Sequence, residues 1–386
     1  MDEQKIIAIP VNPIDEPIRE PIPIETDFPI GGPSPEATIR VEGDTTERVA
    51  ELSTDALLPI GNRIVGTNGP DILFGTRKDD LILALGGDDT IIGSLGNDTI
   101  SGGAGFDSLD YSKLGRKITL LPQGLIGNGN TQGSQIQGIE RIIGSRKKNN
   151  TIDGSNGKGP VSFDIDLSKD LLVVEDIPRL GSVKFVVENF VNVKGTQNSD
   201  SIIGDKGKNK LSGNGGNDKL IGKFGNDTLI GGSGNDTLTG ADPSLADTVR
   251  REKDVLTGGS GTDKFILGNK SGSFYDDFGN KDFAKITDFS FGEQINLGSG
   301  ETYNVEQKNN GFNIFVVEDF GRDLIGKVRL SSGISSAKSK NSSLMAASST
   351  LDASALTVTS SDSLTSEVTG MFTSITLNEQ GNISFA

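Results

Sequence analysis

Nine-residue units recur in two runs along this chain, and they constrain its fold more than any other feature. The first run begins at Gly66 and reads GTNGPDILF, GTRKDDLIL, ALGGDDTII, GSLGNDTIS and GGAGFDSLD. The second begins at Gly195 with GTQNSDSII, GDKGKNKLS, GNGGNDKLI, GKFGNDTLI and GGSGNDTLT; after an irregular stretch, KDVLT restores the phase and GGSGTDKFI closes the array. The eighth position is apolar throughout: Leu73, Ile82, Ile91, Ile100, Leu109, Ile202, Leu211, Leu220, Leu229, Leu238, Leu256 and Phe265. The sixth is Asp in eleven of twelve units, with Asn209 the exception.

Repetition on this scale predicts a solenoid. Each unit reads as a Gly-rich turn, where Gly supplies positive φ angles and close backbone approach, followed by a strand of about three residues. Within that strand the eighth side chain points inward, and the seventh (Thr90, Thr99, Thr228, Thr237) points out. One inward residue per unit buries too little apolar area to hold a domain, so something else must hold the turns.

The units resemble the RTX (hemolysin-type) calcium-binding repeat, G-G-x-G-x-D-x-U-x, almost letter for letter in GGSGNDTLT and GGAGFDSLD. That resemblance implies an all-β fold: a right-handed parallel β-roll, or β-solenoid, with two units per coil and calcium between turns eighteen residues apart. Carried onto this sequence, it lines up Asp71, Asp89 and Asp107 on one edge of the first block and Asp80 and Asp98 on the other. In the second block Asp200, Asp218 and Asp236 share an edge, opposite Asn209 and Asp227; Asp254 and Asp263 belong to the last two units. Turn carbonyls at Gly87, Gly93, Gly96, Gly102, Gly105, Gly213, Gly216, Gly222, Gly225, Gly231 and Gly234 are implied as the remaining ligands. Lys78 and Asn198 replace the fourth-position Gly, and Asn209 is neutral, so those sites are expected to be weak or empty.

Around the repeat blocks (61–110 and 195–266) the character changes. Residues 1–60 hold nine of the fourteen prolines and thirteen acidic residues against four basic ones, and read as a disordered, partly extended leader. Its acidic start lacks the apolar core of a signal peptide. Residues 111–194 are strand-rich and read as longer coils of the solenoid or as an inserted β region. The stretch 240–254 lacks the glycines and inward positions of its neighbours and reads as a surface loop. Residues 267–330 alternate like strands that cap a solenoid; KDFAKITDF resembles the C-terminal part of RTX proteins, cyanobacterial ones among them. Residues 331–386 are Ser/Thr/Ala-rich with no basic residue after Lys340. They read as a disordered tail that resembles an uncleaved type I secretion signal, the plain alternative being a low-complexity tail.

Composition narrows the function. The chain has no Cys and no His, which removes thiolate and imidazole ligands, disulfides and any Ser-His-Asp triad. A net charge of -16 argues against nucleic-acid binding and favours a hard cation held by oxygen. No apolar run is long enough for a transmembrane helix. Asp164, Asp166, Ser168, Asp170 and Glu175 stand at EF-hand offsets, but Lys169 occupies the position that needs Gly. GSNGKGP, around Lys158, lacks the hydroxyl residue of a phosphate loop and reads as a turn. The expectation is a secreted, non-enzymatic protein that folds on calcium outside the cell, exported by type I machinery and associated with a cell surface or acidic polysaccharide. The alternative is a polysaccharide-modifying enzyme or glycan-binding module on the same scaffold.

Overall fold

A computed structural model describes residues 62–121, 125–127, 133–179, 181–244, 251–276, 281–318 and 321–331, together with four short strands between 356 and 385. Nearly all strands fall into two sheets, of sixteen and fifteen strands. Successive nine-residue units alternate between them. Ile72–Phe74, Thr90–Ile92 and Ser108–Asp110 join the fifteen-stranded sheet, whereas Arg63–Val65, Leu81–Leu83 and Thr99–Ser101 join the other. All of these pairs are parallel, and their register puts Leu73 beside Ile91 and Leu109, and Ile82 beside Ile100. The second block repeats the pattern, with Ile202, Leu220, Leu238 and Phe265 in one row and Leu211, Leu229 and Leu256 in another. This is a β-roll.

The three-residue strands follow from the unit itself. Side chains alternate across a strand, so an apolar eighth residue between polar or small neighbours buries one side chain per unit. All twelve eighth-position residues are buried, and none exceeds the 9% exposure of Leu73, which sits in the first coil. Each contributes roughly 1.5–3 kcal/mol by leaving water. The resulting core is a thin slab between two sheets.

Residues 111–194 contribute to both sheets but not by parallel coiling alone. Ser134–Gln137 and Arg141–Ile143 extend the rows from Ile100 and Leu109 in parallel. Two antiparallel meanders then interrupt the winding: Thr119–Leu121 with Leu125–Gly127 and Ser134–Gln137, and Ser162–Asp166 with Leu171–Ile177 and Gly181–Glu188. The first two strands of the second are joined by a tight turn where the Asp166 carboxylate accepts from Ser168 N–H and Asp170 adopts φ 54°. Asp166 also pairs with Lys169 at 2.7 Å, so the EF-hand-like spacing forms a hairpin turn.

Beyond the stretch 240–254, Lys253–Ser260 returns to parallel pairing on Thr228–Ser233, with Leu256 beside Leu229, twenty-seven residues on. The expected loop therefore adds one unit's length without shifting the phase. Phe283–Phe289 and Gln294–Asn296 add a further parallel layer. An antiparallel meander follows (Thr302–Lys308, Gly311–Glu318, Gly321–Leu330), and its Phe312 meets Phe289 edge-on, which in turn tilts against Phe265, each pair at a 6.1 Å centroid spacing. Within the expected C-terminal tail, Leu356–Thr359 pairs with Thr302–Lys308 and Asn382–Phe385 with Gln294–Asn296. Open strand edges accept any extended segment this way. The rest of that tail and the leader at 1–60 lie outside the described residues. Among the described residues no helix is long and apolar enough to cross a membrane.

Candidate metal centre

The sixth-position residues form ladders along the two edges of the roll. On the edge leading into the fifteen-stranded sheet, the main-chain N–H of Asp71 donates to Asp89 Oδ1 at 2.7 Å, and that of Asp89 to Asp107 Oδ1 at 2.9 Å. The same edge in the second block runs from Asp200 to Asp218 (2.8 Å), Asp236 (2.8 Å) and Asp263 (2.9 Å). On the opposite edge Asp80 N–H donates to Asp98 (3.0 Å), Asn209 N–H to Asp227 (2.8 Å) and Asp227 N–H to Asp254 (2.8 Å). Each bond links residues eighteen apart, or twenty-seven across the loop. Each also holds the accepting carboxylate at the turn.

The glycines set the space around these carboxylates. An added Cβ at first-position Gly213, Gly222 or Gly231 would collide with the Oδ2 of Asp218, Asp227 or Asp236, and one at Gly102 with the Gly138 carbonyl. Fourth-position Gly87, Gly96, Gly105, Gly216, Gly225 and Gly234 all have φ between 99° and 134°, which a side chain rarely tolerates. A Cβ added at Gly105 or Gly234 would also collide with the carbonyl oxygen of Gly87 or Gly216, the same position one coil earlier. Gly93 differs, because the ring of Tyr111 fills the space above it.

One oxygen of each ladder carboxylate is thus satisfied; the other decides the chemistry. The Oδ2 atoms of Asp89, Asp107, Asp218, Asp227, Asp236 and Asp263 are buried and accept no hydrogen bond. Six buried, unpaired carboxylate oxygens oppose folding unless a cation or proton meets them. Burial pushes Asp218 and Asp227 up to about 8 and Asp107 and Asp236 to about 6, and raises Asp89 and Asp263. Ladder N–H groups oppose the shift, and neighbouring carboxylates add to it.

Other members of the set are closed by their own surroundings. Asp71, Asp80 and Asp200 each accept from the main-chain N–H of a second-position threonine, Thr67, Thr76 or Thr196, at 2.5–2.6 Å. Asp98 accepts from Ser94 Oγ at 3.1 Å, and burial still lifts it to about 6. Asn209 accepts from Asp205 N–H and donates to the Val191 carbonyl. Asp254 takes the Tyr275 hydroxyl at 2.7 Å.

Two glutamates continue the ladders beyond the repeats. Glu140 accepts from Asp107 N–H at 2.8 Å, and Glu293 stands one coil after Asp263, accepting from Ser290; burial lifts both to about 7. Their signal was an acid two residues before an inward Ile, Glu140–Ile142 and Glu293–Ile295, the spacing of the sixth and eighth positions. Among the described residues no three carboxylates converge closely enough to hold an ion by side chains alone. The buried Oδ2 atoms are hard oxygen donors, of the kind that calcium accepts in flexible arrangements.

The sequence model of the RTX calcium-binding nonapeptide repeat family matches four times, over residues 65–100, 74–109, 194–229 and 221–242. The chain carries RTX calcium-binding repeats. The RTX repeats bind Ca2+ ions, and here the matched residues include the ladder positions from Asp71 to Asp107 and from Asp200 to Asp236. No curated protein is significantly similar in sequence. Among solved structures, an extracellular lipase, LipA from Serratia marcescens, is 16% identical, with 72% of this chain and 40% of that one covered at a TM-score of 0.15. This chain thus spans less than half of that lipase's length.

Proposed function

We propose that this chain is a secreted, non-catalytic protein whose RTX roll folds when calcium reaches it outside the cell. The observation that carries the reading is the set of six buried Oδ2 atoms without a hydrogen-bond donor. Calcium supplies the missing partner, held by these carboxylates and the adjoining turn carbonyls around Gly87, Gly102, Gly105, Gly213, Gly216, Gly222, Gly225, Gly231 and Gly234. Extracellular calcium modules bind at roughly 10⁻⁴–10⁻³ M, far above cytosolic levels. A site at about ten times its dissociation constant stabilises the folded state by about 1.4 kcal/mol, so several together rival the roughly 5–15 kcal/mol of a whole domain.

The chain therefore stays unfolded in the cytosol, passes a type I exporter guided by residues 331–386, and folds in the medium. Once folded, its acidic surface and bound ions suit a structural role at a cell surface or in acidic polysaccharide, bridged through calcium. Limited proteolysis tests the compartment switch: the segment from 62 to 331 should be cut freely in chelator and resist at millimolar calcium. Equal resistance in both conditions would contradict it.

A further inference from the structure

The two edges of the roll are not equivalent. Five of the six unpaired Oδ2 atoms, those of Asp89, Asp107, Asp218, Asp236 and Asp263, lie on the edge leading into the fifteen-stranded sheet. Among the described sixth-position residues, the opposite edge has only Asp227, with the buried acids Glu252 and Asp282 following further along that edge. There, Asp80 is held by Thr76 N–H and Oγ1, Asp98 by Ser94, Asp254 by the Tyr275 hydroxyl, and Asn209 carries no charge.

The backbone divides the turns the same way, independently of any carboxylate. In all six turns with an unpaired Oδ2 the second residue has positive φ: Leu85 (78°), Gly103 (105°), Asn214 (73°), Lys223 (74°), Gly232 (122°) and Gly259 (107°). Three of these are not glycine, so residue type alone does not explain the conformation. Thr67, Thr76, Ser94, Thr196 and Asp205, second in the closed turns, do not have it. In four of those five turns the second residue's N–H points at the sixth-position side chain instead. The second position thus selects between two turns. Thr or Asp lets the N–H close onto the carboxylate or amide, and a left-handed residue turns the N–H away and leaves the oxygen open.

We propose that calcium lines one edge of the repeats, in the turns of Asp89, Asp107, Asp218, Asp236 and Asp263, and that the sixth-position residues of the opposite edge are closed by their own surroundings except at Asp227. Each block opens on a coil that needs no metal, closed by Thr67 and Thr76 in the first and by Thr196 and Asp205 in the second. This rests on the calcium reading above and adds to it which turns are sites. A bound ion at Asp80 or Asp200 would have to displace the threonine N–H and hydroxyl that already occupy the carboxylate.

The test counts ions per full-length chain by equilibrium dialysis with radioactive calcium, with far-UV circular dichroism to verify folding. Wild type should bind about as many ions as there are open turns, six. Asp80→Asn/Asp98→Asn should bind as many as wild type, and Asp89→Asn/Asp236→Asn fewer by up to two, one for each open turn altered. Should the asparagine variants fail to fold, Thr196→Gly/Asn198→Gly restores the G-G-x-G-x-D pattern in a closed turn and should add one ion; an unchanged count would overturn the proposal. Equal losses from the two edges would also overturn the asymmetry while leaving calcium binding intact. A wild-type chain that binds no calcium would overturn the calcium reading itself, and this one with it.

Discussion

Replacing Asp218 with Asn should change stability in opposite directions with and without calcium. Asp218 is 2% exposed; its Oδ1 accepts from Asp200 N–H at 2.8 Å, and its Oδ2 has no donor. Burial first, and the Asp200 and Asp236 carboxylates after it, push its pKa from 3.8 to about 8. At pH 7 the calcium-free fold must take up a proton that the unfolded chain does not carry. The gap of about three pH units, at about 1.4 kcal/mol each, sets a cost of up to about 4 kcal/mol. Asn keeps the Oδ1 acceptor and carries no charge, so most of that cost disappears and the calcium-free roll gains stability. With calcium present the same change removes an anionic ligand, and the loss is at least the roughly 1.4 kcal/mol of a site held at ten times its dissociation constant. Urea unfolding followed by circular dichroism measures both. Chelator samples take a stabilising osmolyte to bring the transition into range. If Asp218→Asn lowered stability in chelator, or raised it in calcium, the reasoning would be refuted.

Acid should replace calcium. The raised carboxylates contribute stability that is fully present below their ordinary pKa near 4 and lost as pH rises through about 6 to 8; circular dichroism in chelator should show β-structure at pH 4 that melts out by pH 8. Gly234→Ala puts a side chain at φ 125° against the Gly216 carbonyl, costing about 1–2 kcal/mol for the conformation and more for the overlap. Its calcium midpoint for folding should rise accordingly. Fusing residues 331–386 to a slow-folding passenger should deliver it to the medium in a host with a type I exporter, and a passenger that stays inside would rule out the signal.

The parts of this architecture that were legible in the sequence are those where one residue type meets a strict local demand. Only small or left-handed residues fit the turns, only apolar ones fit the slab, and both demands recur every nine positions, so the inward rows and the eighteen-residue edge pairs could be read directly. Glu140 escaped because four strands lie between it and Asp107, two more than separate ordinary ladder partners, which breaks the period although the acid-to-apolar spacing survives. Tyr275 reaches Asp254 from outside the array, and no periodicity links them. The meanders of 111–194 carry the same alternation as parallel strands, so pattern alone could not separate hairpins from coils. Nor did residue type reveal the two kinds of turn, since Leu85 and Lys223 hold a conformation neither prefers.

The central claim is that folding and calcium binding are one event. It is tested most directly by titrating the chelated, full-length protein at pH 7 while recording circular dichroism and small-angle scattering together. The account predicts an expanded chain with little β-structure in chelator. That chain collapses to the β-roll in one cooperative transition near millimolar calcium, and magnesium at the same concentration leaves it expanded. A compact, β-rich protein in chelator at neutral pH, unchanged by calcium, would contradict it.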